Sequence, residues 1–352
     1  MQQTAVPTKI IRNIHVHWNG VVEQMSCPVS TYETTLFASI QRGANVSLKH
    51  HISVEILSDN ITRSVLFKLN DIHNVKCFID YLKKNVSNLK QNMQYEINKI
   101  SNHCVLLDYT SHVVGNLVYL RLSYYTYDAS GHNISTIASN IIAKRLAEIC
   151  RKQDIRIEYV SNSGNVCVDK KVSAINSILG RGKHVITEMR ISRQSCKEIL
   201  KTIPEKIVEL NIDKNLIGSI VSGSVCSANA HYANMLAAVF LPFGQDVANI
   251  VEGSQGITYC SMEQDCLYIS VNLPNIICGC VGNGKNIDFV RENLRMIGCL
   301  DEKNELVDGA SNRLAGIIGA IVMCGELSLL AALTNQDELV KSHILFERTI
   351  TK

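Results

Sequence analysis

Residues 163–188 read SGNVCVDKKVSAINSILGRGKHVITE, in a chain that is otherwise low in charge. At its centre are Asp169, Lys170 and Lys171, directly before a helix-like run. Charged side chains are mostly exposed, so three adjacent charges first suggest a solvated surface. Small, polar and glycine residues before the cluster, and a Gly-Arg-Gly turn after it, favour another interpretation. In that interpretation the cluster belongs to a site that holds an anion.

The composition is that of a globular protein with a large core. The chain has 352 residues, enough for about two domains. Hydrophobic residues make up 46% of it and charged residues 19%, with a formal net charge of +3. This charge is small, and no basic run is interleaved with aromatic residues. We therefore expect no nucleic-acid partner.

The cysteines indicate where the protein resides. Thirteen of them are scattered without a C-x-x-C pair, which argues against a zinc ribbon or a disulfide framework, and we expect no metal site. So many free thiols are typical of a reducing compartment. The first residues have no signal-like apolar segment, and the apolar run 314–333 is interrupted by glycines and Glu326. We interpret that run as a buried helix and expect a cytoplasmic protein without a membrane segment.

Residues 64–160 show the clearest alternation of strands and helices. The pattern predicts strands at 64–69, 104–109, 117–124 and 155–160, and amphipathic helices at 71–91 and 134–150. The order β-α-β-β-α-β is that of the ferredoxin-like split motif. We therefore predict a small ferredoxin-like domain over residues 64–160.

Residues 1–63 and 161–352 are predicted to form one large, mainly helical domain, which makes the fold class α+β. Short strands are expected at 51–57, 184–191, 257–262 and 267–273. The predicted helices cover residues 33–42, 173–179, 229–240, 288–297, 311–333 and 336–346.

A glycine-rich loop, GCVGNGKN at residues 279–286, is nearly a P-loop. It has the G-x-x-x-x-G-K pattern, but Asn286 stands where a magnesium-binding Ser or Thr is needed. An ATPase is therefore the weaker interpretation. A turn whose glycines let a ligand approach the backbone is the stronger one.

Five isolated polar groups are candidates for chemistry: Glu33, Asp128, Lys170, Asp246 and His343. Each has an ordinary structural explanation, respectively a first-turn acid, a turn residue, a solvated lysine, a helix N-cap and a helix-end histidine. Taken singly, the structural explanation is favoured for each.

Taken together, the motifs resemble one family. The segments DKKVSAINSILGRGKHVITE, ELNIDKNLIGS, SANAHYANMLAAVF, FGQDVANIVEGS, CLYIS, GELSLLAAL and LVKSHILFER occur in order after residue 163. In that order and spacing they resemble the catalytic portion of hydroxymethylglutaryl-CoA reductases, closer to the eukaryotic and archaeal class than to the bacterial one. The resemblance extends from Pro28 to Arg348.

The resemblance implies a fold and a reaction. In the family a large domain holds acyl-CoA, and an inserted ferredoxin-like domain holds the nicotinamide cofactor. The family reduces hydroxymethylglutaryl-CoA to mevalonate and coenzyme A with two NADPH. Its active sites lie at subunit interfaces, so a homo-oligomer is implied, either a dimer or a tetramer.

The resemblance also assigns residues. The catalytic set would be Lys170 for the developing oxyanion, Asp246 to hold Lys170, Glu33 as a proton donor and His343 to protonate the CoA thiolate. The substrate-binding residues would be Arg63, Ser163, Asp169, Lys171, Lys214 and Asn234, with Ser39 and Arg42 near the CoA. The cofactor-binding residues would be Asp128, Gly131, Asn133, Gly282, Asn283 and Gly284.

The cofactor motifs depart from the family pattern. The family's G-D-A-M-G-M-N motif is YDASGHN here, so Ser130 and His132 replace two methionines. Lys285 ends the loop that is G-T-V-G-G-G-T in the family, and Asn102 stands where an arginine often meets the cofactor's 2′-phosphate. NADH therefore stays open beside NADPH. Two further hypotheses are a diverged acyl-CoA reductase that takes another acyl group and a non-catalytic homologue that binds CoA.

Overall fold

The structure, a computed structural model, describes residues 4–335 and residue 340. Over residues 4–335 the strands are β1 Thr8–Trp18, β2 Val21–Ser30, β3 Ile52–Leu69, β4 Val105–Val114, β5 Leu117–Tyr125, β6 Ile157–Ser161, β7 Gly182–Ser192, β8 Ile257–Glu263 and β9 Cys266–Ile276. Their hydrogen-bonded order is β2-β1-β3-β7-β9-β8, with β5 and β6 also paired to β3 and β4 paired to β5.

Strand β3 connects two sheets. Its first half pairs with β7, and from Ile61 onward it pairs with β5 and β6. The chain therefore passes from one sheet to the other within a single strand of 18 residues. Sequence patterning predicted two separate strands here, at 51–57 and 64–69. The polar segment Ser58-Asp59-Asn60 hid their continuity, because it breaks the apolar alternation.

The smaller sheet has the order β4-β5-β3-β6, and all its pairs are antiparallel. Helix α1, Thr35–Ser47, packs on the larger sheet, whereas α2 Ile72–Lys84, α3 Val86–Asn98 and α4 His132–Arg151 accompany the smaller one. The predicted helix at 71–91 is two helices, because the Asn85 side chain bonds the Tyr81 carbonyl at 2.9 Å and ends the first. A separate hydrophobic core lies among these elements.

The larger part contains more strand than the sequence predicted. Strands β1 and β2 were not expected, because a bulge between Ile11 and Ile14, with Asn13 at a φ of 60°, disrupts the alternation of β1. The description "mainly helical" is thus corrected, since a six-stranded sheet runs through this part. The fold is a mixture of helices and strands.

The remaining helices surround the larger sheet. They are α5 Ala174–Leu179, α6 Arg193–Ser195 continued by the π segment Cys196–Leu200, α7 Pro204–Leu210 continued by the π segment Asn211–Gly218, α8 Ser219–Val221, α9 Tyr232–Phe240, α10 Ile250–Gly253 after the 3₁₀ turn Val247–Asn249, α11 Asp288–Met296 and α12 Ala310–Leu333. The predicted helix at 336–346 lies outside the described residues, apart from residue 340.

Helix α12 is the centre of the larger core. By length and composition it could cross a membrane, yet 94% of its most apolar 18-residue window is buried inside the fold. Glycines make this packing possible. A Cβ on Gly43 of α1 would overlap the Cys324 carbonyl oxygen, and one on Gly316 would overlap the Trp18 ring. The helix therefore packs against both neighbours at distances that other residues would not permit.

Candidate active site

A cavity of about 490 Å³ lies where the two parts of the fold meet. It is bounded by the first turn of α4, the loop before α5, the turn before α10 and the glycine-rich loop after β9. Its polar lining residues include Arg63, Ser130, His132, Asn133, Asp169, Lys170, Gln245, Asp246, Asn249, Asn283 and Lys285. Gly131 and Gly282 also line it.

Lys170 and Asp246 form an ion pair in this cavity. The Lys170 ammonium donates to Asp246 Oδ2 at 2.6 Å, although 76 residues separate the two in the chain. This hydrogen bond raises the pKa of Lys170, so the amine remains protonated at neutral pH. The Asp246 carboxylate also accepts from the Ala248 amide at 3.1 Å and so caps the turn that follows it.

The backbone at Lys170 is in the left-handed region, with a φ of 55°. Few residues other than glycine adopt this conformation, and it persists only where the surroundings hold it. Here the Lys170 amide donates to Glu252 Oε1 at 3.2 Å, and Glu252 is 0% exposed. A buried carboxylate therefore helps to hold the lysine in the conformation that reaches Asp246.

Asp169 lies among cations. Arg181 Nη2 is 2.8 Å from its carboxylate, and Arg63 Nη1 and His132 Nε2 are each 3.6 Å away. Burial alone would raise the pKa of Asp169, but the contacts with His132 and Arg181 hold it well below its usual range. Arg181, 1% exposed, also donates to Glu252 at 2.9 Å. Asp169 thus joins Arg63 to a buried ionic network.

Two loops with predicted cofactor residues contact each other closely. The Cys280 amide donates to the Asp128 carbonyl at 2.7 Å, and the Asp128 side chain accepts from the Ser311 amide at 2.8 Å. A Cβ on Gly279 would overlap the Ser130 amide nitrogen, so only glycine allows this approach. Gly131 has a φ of 85°, where a Cβ would lie 2.6 Å from Ile61. Asp128 therefore positions the loop rather than lining the cavity.

Glu33 lies elsewhere in the chain and does not line the cavity. Its carboxylate accepts from Asn234 Nδ2 at 3.1 Å, so two predicted site residues meet there. Ser39 and Arg42 lie at a third location. Ser39 Oγ and Arg42 Nε each donate to Ser328 Oγ on α12 at 3.0 Å. The predicted residues thus form separate groups within one chain.

The other predicted residues have local partners. Ser163 is exposed, and its amide bonds Ser161 Oγ at 3.1 Å. Lys171 Nζ donates to the Asp169 carbonyl at 3.2 Å, and Lys214 Nζ donates to Asn215 at 3.2 Å. Gly284 has a φ of 83° within the glycine-rich loop. His343 lies outside the described residues.

Sequence reasoning missed three buried ionic residues. Arg181 stands in a Gly-Arg-Gly turn, which suggested exposure, and Glu252 stands in a short segment without a pattern. Glu326 interrupts the apolar run of α12, and that interruption was the available signal. Its carboxylate accepts from the Ala230 amide at 2.6 Å and from Thr258 Oγ1 at 2.8 Å, which anchors the start of α9.

Comparisons with known proteins show which family the chain belongs to. The profile of the family hydroxymethylglutaryl-coenzyme A reductase matches residues 2–348. The 3-hydroxy-3-methylglutaryl-coenzyme A reductase of Pyrococcus abyssi is 38% identical over 345 residues, which cover 97% of this chain and 82% of that protein. The reductase of the same name from Aeropyrum pernix is 35% identical over 344 residues, covering 97% and 79%.

The fold is similar to that of solved structures. A class II 3-hydroxy-3-methylglutaryl-CoA reductase from Streptococcus pneumoniae bound to NADPH superposes with a TM-score of 0.72 and 15% identity. The match covers 95% of this chain and 86% of that one. The chain therefore belongs to the hydroxymethylglutaryl-coenzyme A reductase family.

Proposed function

We propose that this protein reduces 3-hydroxy-3-methylglutaryl-CoA to mevalonate and coenzyme A, a step of the mevalonate pathway, with a nicotinamide dinucleotide as reductant. The observation that carries the proposal is the Lys170–Asp246 pair, 2.6 Å apart, in the same cavity as the first turn of α4 and the glycine-rich loop. A cation held beside a carboxylate is suited to stabilise an oxyanion. The two loops are suited to hold a dinucleotide next to it.

The residues present fit a dinucleotide. Gly131 begins the 20-residue helix α4 without a side-chain cap, so the amides of the first turn are free for an anion. A Cβ built on Gly282 would meet no atom within 4 Å, so this face of the loop is open. The cofactor supplies hydride when bound. We infer that it is NADPH, as in the Streptococcus pneumoniae structure, with NADH as the alternative.

Each charged residue has a role in the proposed reaction. Lys170 stabilises the negative charge that develops on the thioester carbonyl oxygen, and Asp246 keeps Lys170 protonated and oriented. Arg63, 3.6 Å from Asp169, and Lys171 are suited to hold the substrate's terminal carboxylate. Glu33 donates a proton to the aldehyde oxygen in the second reduction, which yields the alcohol, and His343 protonates the departing CoA thiolate.

The two separate hydrophobic cores support different binding roles for the two parts of the fold. We propose that the smaller part, residues 64–160, binds the dinucleotide, and that the larger part binds acyl-CoA. A second cavity supports the latter, because Lys197, Lys201 and Lys206 line it together with Thr202 and Thr334. Three lysines in one cavity suit the phosphates of coenzyme A. The thirteen free thiols support a cytoplasmic location.

We propose that the active protein is at least a dimer and that Glu33 reaches Lys170 from the partner copy. Glu33 is paired with Asn234 and does not line the Lys170 cavity of its own chain. Neighbouring elements also expose large apolar side chains, which a second copy would cover. They are Leu216 and Ile217 on the π segment, Ile220 and Val221 on α8, and Tyr259 on edge strand β8.

Mixing two inactive variants tests the shared site. Lys170→Met and Glu33→Gln dimers are each expected to keep no more than about 1% of wild-type activity. If the two residues come from different copies, a hybrid dimer has one intact site, and random mixing restores about a quarter of wild-type activity. The measurement is activity after co-refolding or co-expression of the two variants. If both residues of a site come from one chain, every hybrid site lacks one of them, and no activity returns.

The proposed activity is tested by cofactor oxidation. Purified protein is expected to oxidise NADPH or NADH when hydroxymethylglutaryl-CoA is added, and not when acetyl-CoA is added. Absorbance at the reduced nicotinamide band follows the reaction. Oxidation with acetyl-CoA alone would favour a different acyl group, and binding of both CoA esters without any oxidation would favour the non-catalytic homologue.

A further inference from the structure

Lys285 is a buried cation in the active-site cavity. It ends the glycine-rich loop, it is 6% exposed, and it lines the same cavity as the start of α4. Its ammonium donates to the Gly244 carbonyl oxygen. Among residues 4–335 it forms no ion pair with a carboxylate within 4 Å.

A buried charge without a counter-charge is unfavourable, because removal from water costs several kcal/mol that an ion pair would offset. Burial lowers the pKa of Lys285, because the charged ammonium loses its hydration on removal from water. Asp246 acts on it electrostatically, but that carboxylate is already bonded to Lys170 at 2.6 Å. Among residues 4–335, Lys285 thus has no carboxylate of its own as a counter-charge. An anionic ligand could supply that charge.

The start of α4, which lines the same cavity, attracts the same kind of ligand. The first turn of α4 presents amides without a side-chain cap, and the helix dipole favours negative charge there. A bridge between Ala129 and Val281 holds the two loops together, so Lys285 and these amides border one space. Two independent features, a buried ammonium and free helix amides, therefore converge on an anion.

We propose that Lys285 binds the diphosphate of the dinucleotide cofactor, together with the first amides of α4. This inference rests on the proposed function. The diphosphate is favoured over the 2′-phosphate because Lys285 shares the cavity with Lys170 and Asp246, where the reacting end of the cofactor must lie. In a dinucleotide the diphosphate is joined to the nicotinamide ribose, whereas a 2′-phosphate is attached beyond the diphosphate, on the adenosine ribose.

The inference also explains the near P-loop at residues 279–285. The pattern G-x-x-x-x-G-K lacks the hydroxyl that a magnesium nucleotide needs. The lysine nevertheless keeps the feature that contacts phosphate in a P-loop, namely a cation at the end of a glycine-rich loop. The chain has thus placed a phosphate-binding lysine where its family has threonine.

The test is the affinity for each cofactor, measured by calorimetry without turnover. Lys285→Thr is expected to raise the Kd of both NADPH and NADH by roughly 10- to 100-fold, the loss typical of a charge-assisted hydrogen bond. Lys285→Arg is expected to stay within a few-fold of wild type. Lys144→Thr, which removes an exposed lysine from α4 itself, is the matched control and should leave both Kd values unchanged.

Two outcomes overturn the inference. Wild-type affinity in Lys285→Thr would show that the ammonium does not contact the cofactor, and a loss confined to NADPH would place the 2′-phosphate there instead. Lys285→Met, which keeps the apolar stem, replaces Lys285→Thr if that variant fails to fold. If the wild-type protein binds neither dinucleotide, the proposed function itself fails, which is a different result from unchanged affinity in the variant.

Discussion

Replacing Lys170 by methionine is expected to lower kcat for hydroxymethylglutaryl-CoA about 10²- to 10³-fold, because the variant loses the ammonium that we propose stabilises the oxyanion. The Kd of the dinucleotide should change little, since the variant keeps the α4 amides and Lys285. Lys170→Arg keeps the charge but cannot place it at the same point beside Asp246, so an intermediate kcat is expected. Steady-state kinetics with both substrates varied measures these effects.

Stability separates this effect from misfolding. The Lys170 side chain is 39% exposed, so its replacement leaves no buried hole, and the free energy of unfolding should change by no more than about 0.5 kcal/mol. Lys99→Met, which removes an exposed lysine paired with Glu96 just after the end of α3, is the matched control for charge removal. If Lys170→Met has the kcat and the stability of the wild type, Lys170 takes no part in the reaction.

Replacing Glu252 by leucine is expected to lower the free energy of unfolding by about 3–5 kcal/mol, because it breaks a fully buried ion pair and leaves Arg181 with a single partner. The variant also frees the Lys170 backbone from its acceptor, so kcat should fall as well. Unfolding in urea, followed by fluorescence or circular dichroism, measures the stability.

An exposed ion pair provides the comparison for Glu252. Glu198 contacts Lys49 at 3.2 Å on the surface, and the same substitution there should cost only about 0–1 kcal/mol. Equal losses in Glu198→Leu and Glu252→Leu would contradict the account of the buried network. A large loss of stability in Glu252→Leu alone would support the view that buried ion pairs stabilise the region around Lys170.

Periodicity was enough to predict the approximate positions of most strands and helices in the smaller part. Its strands and helices bury one face each, so their apolar residues repeat at the spacing that the sequence shows. Strand β1 was missed because the bulge at Asn13 shifts the buried side of the strand. The break at Asn85 was also missed, since a single side-chain hydrogen bond ends α2 without altering the apolar stripe.

The site was predictable only as a set of residue types. Lys170 and Asp246 are 76 residues apart, and no local pattern relates them; the resemblance alone paired them, and the structure brings them to 2.6 Å. The network of Arg181, Glu252 and Asp169 depends on burial, which a glycine-flanked arginine does not reveal in sequence. Lys285 was visible as a departure from the family, but its place in the cavity required the fold.

The most direct test of the proposed function is the number of nicotinamides oxidised for each CoA thiol released from hydroxymethylglutaryl-CoA. Absorbance of the cofactor and a thiol reagent measure the two quantities in one reaction. Two oxidations per thiol are predicted, because the conversion of a thioester to a primary alcohol takes two hydrides. One oxidation per thiol, or release of thiol without oxidation, would contradict the assignment of this cavity to a four-electron reduction.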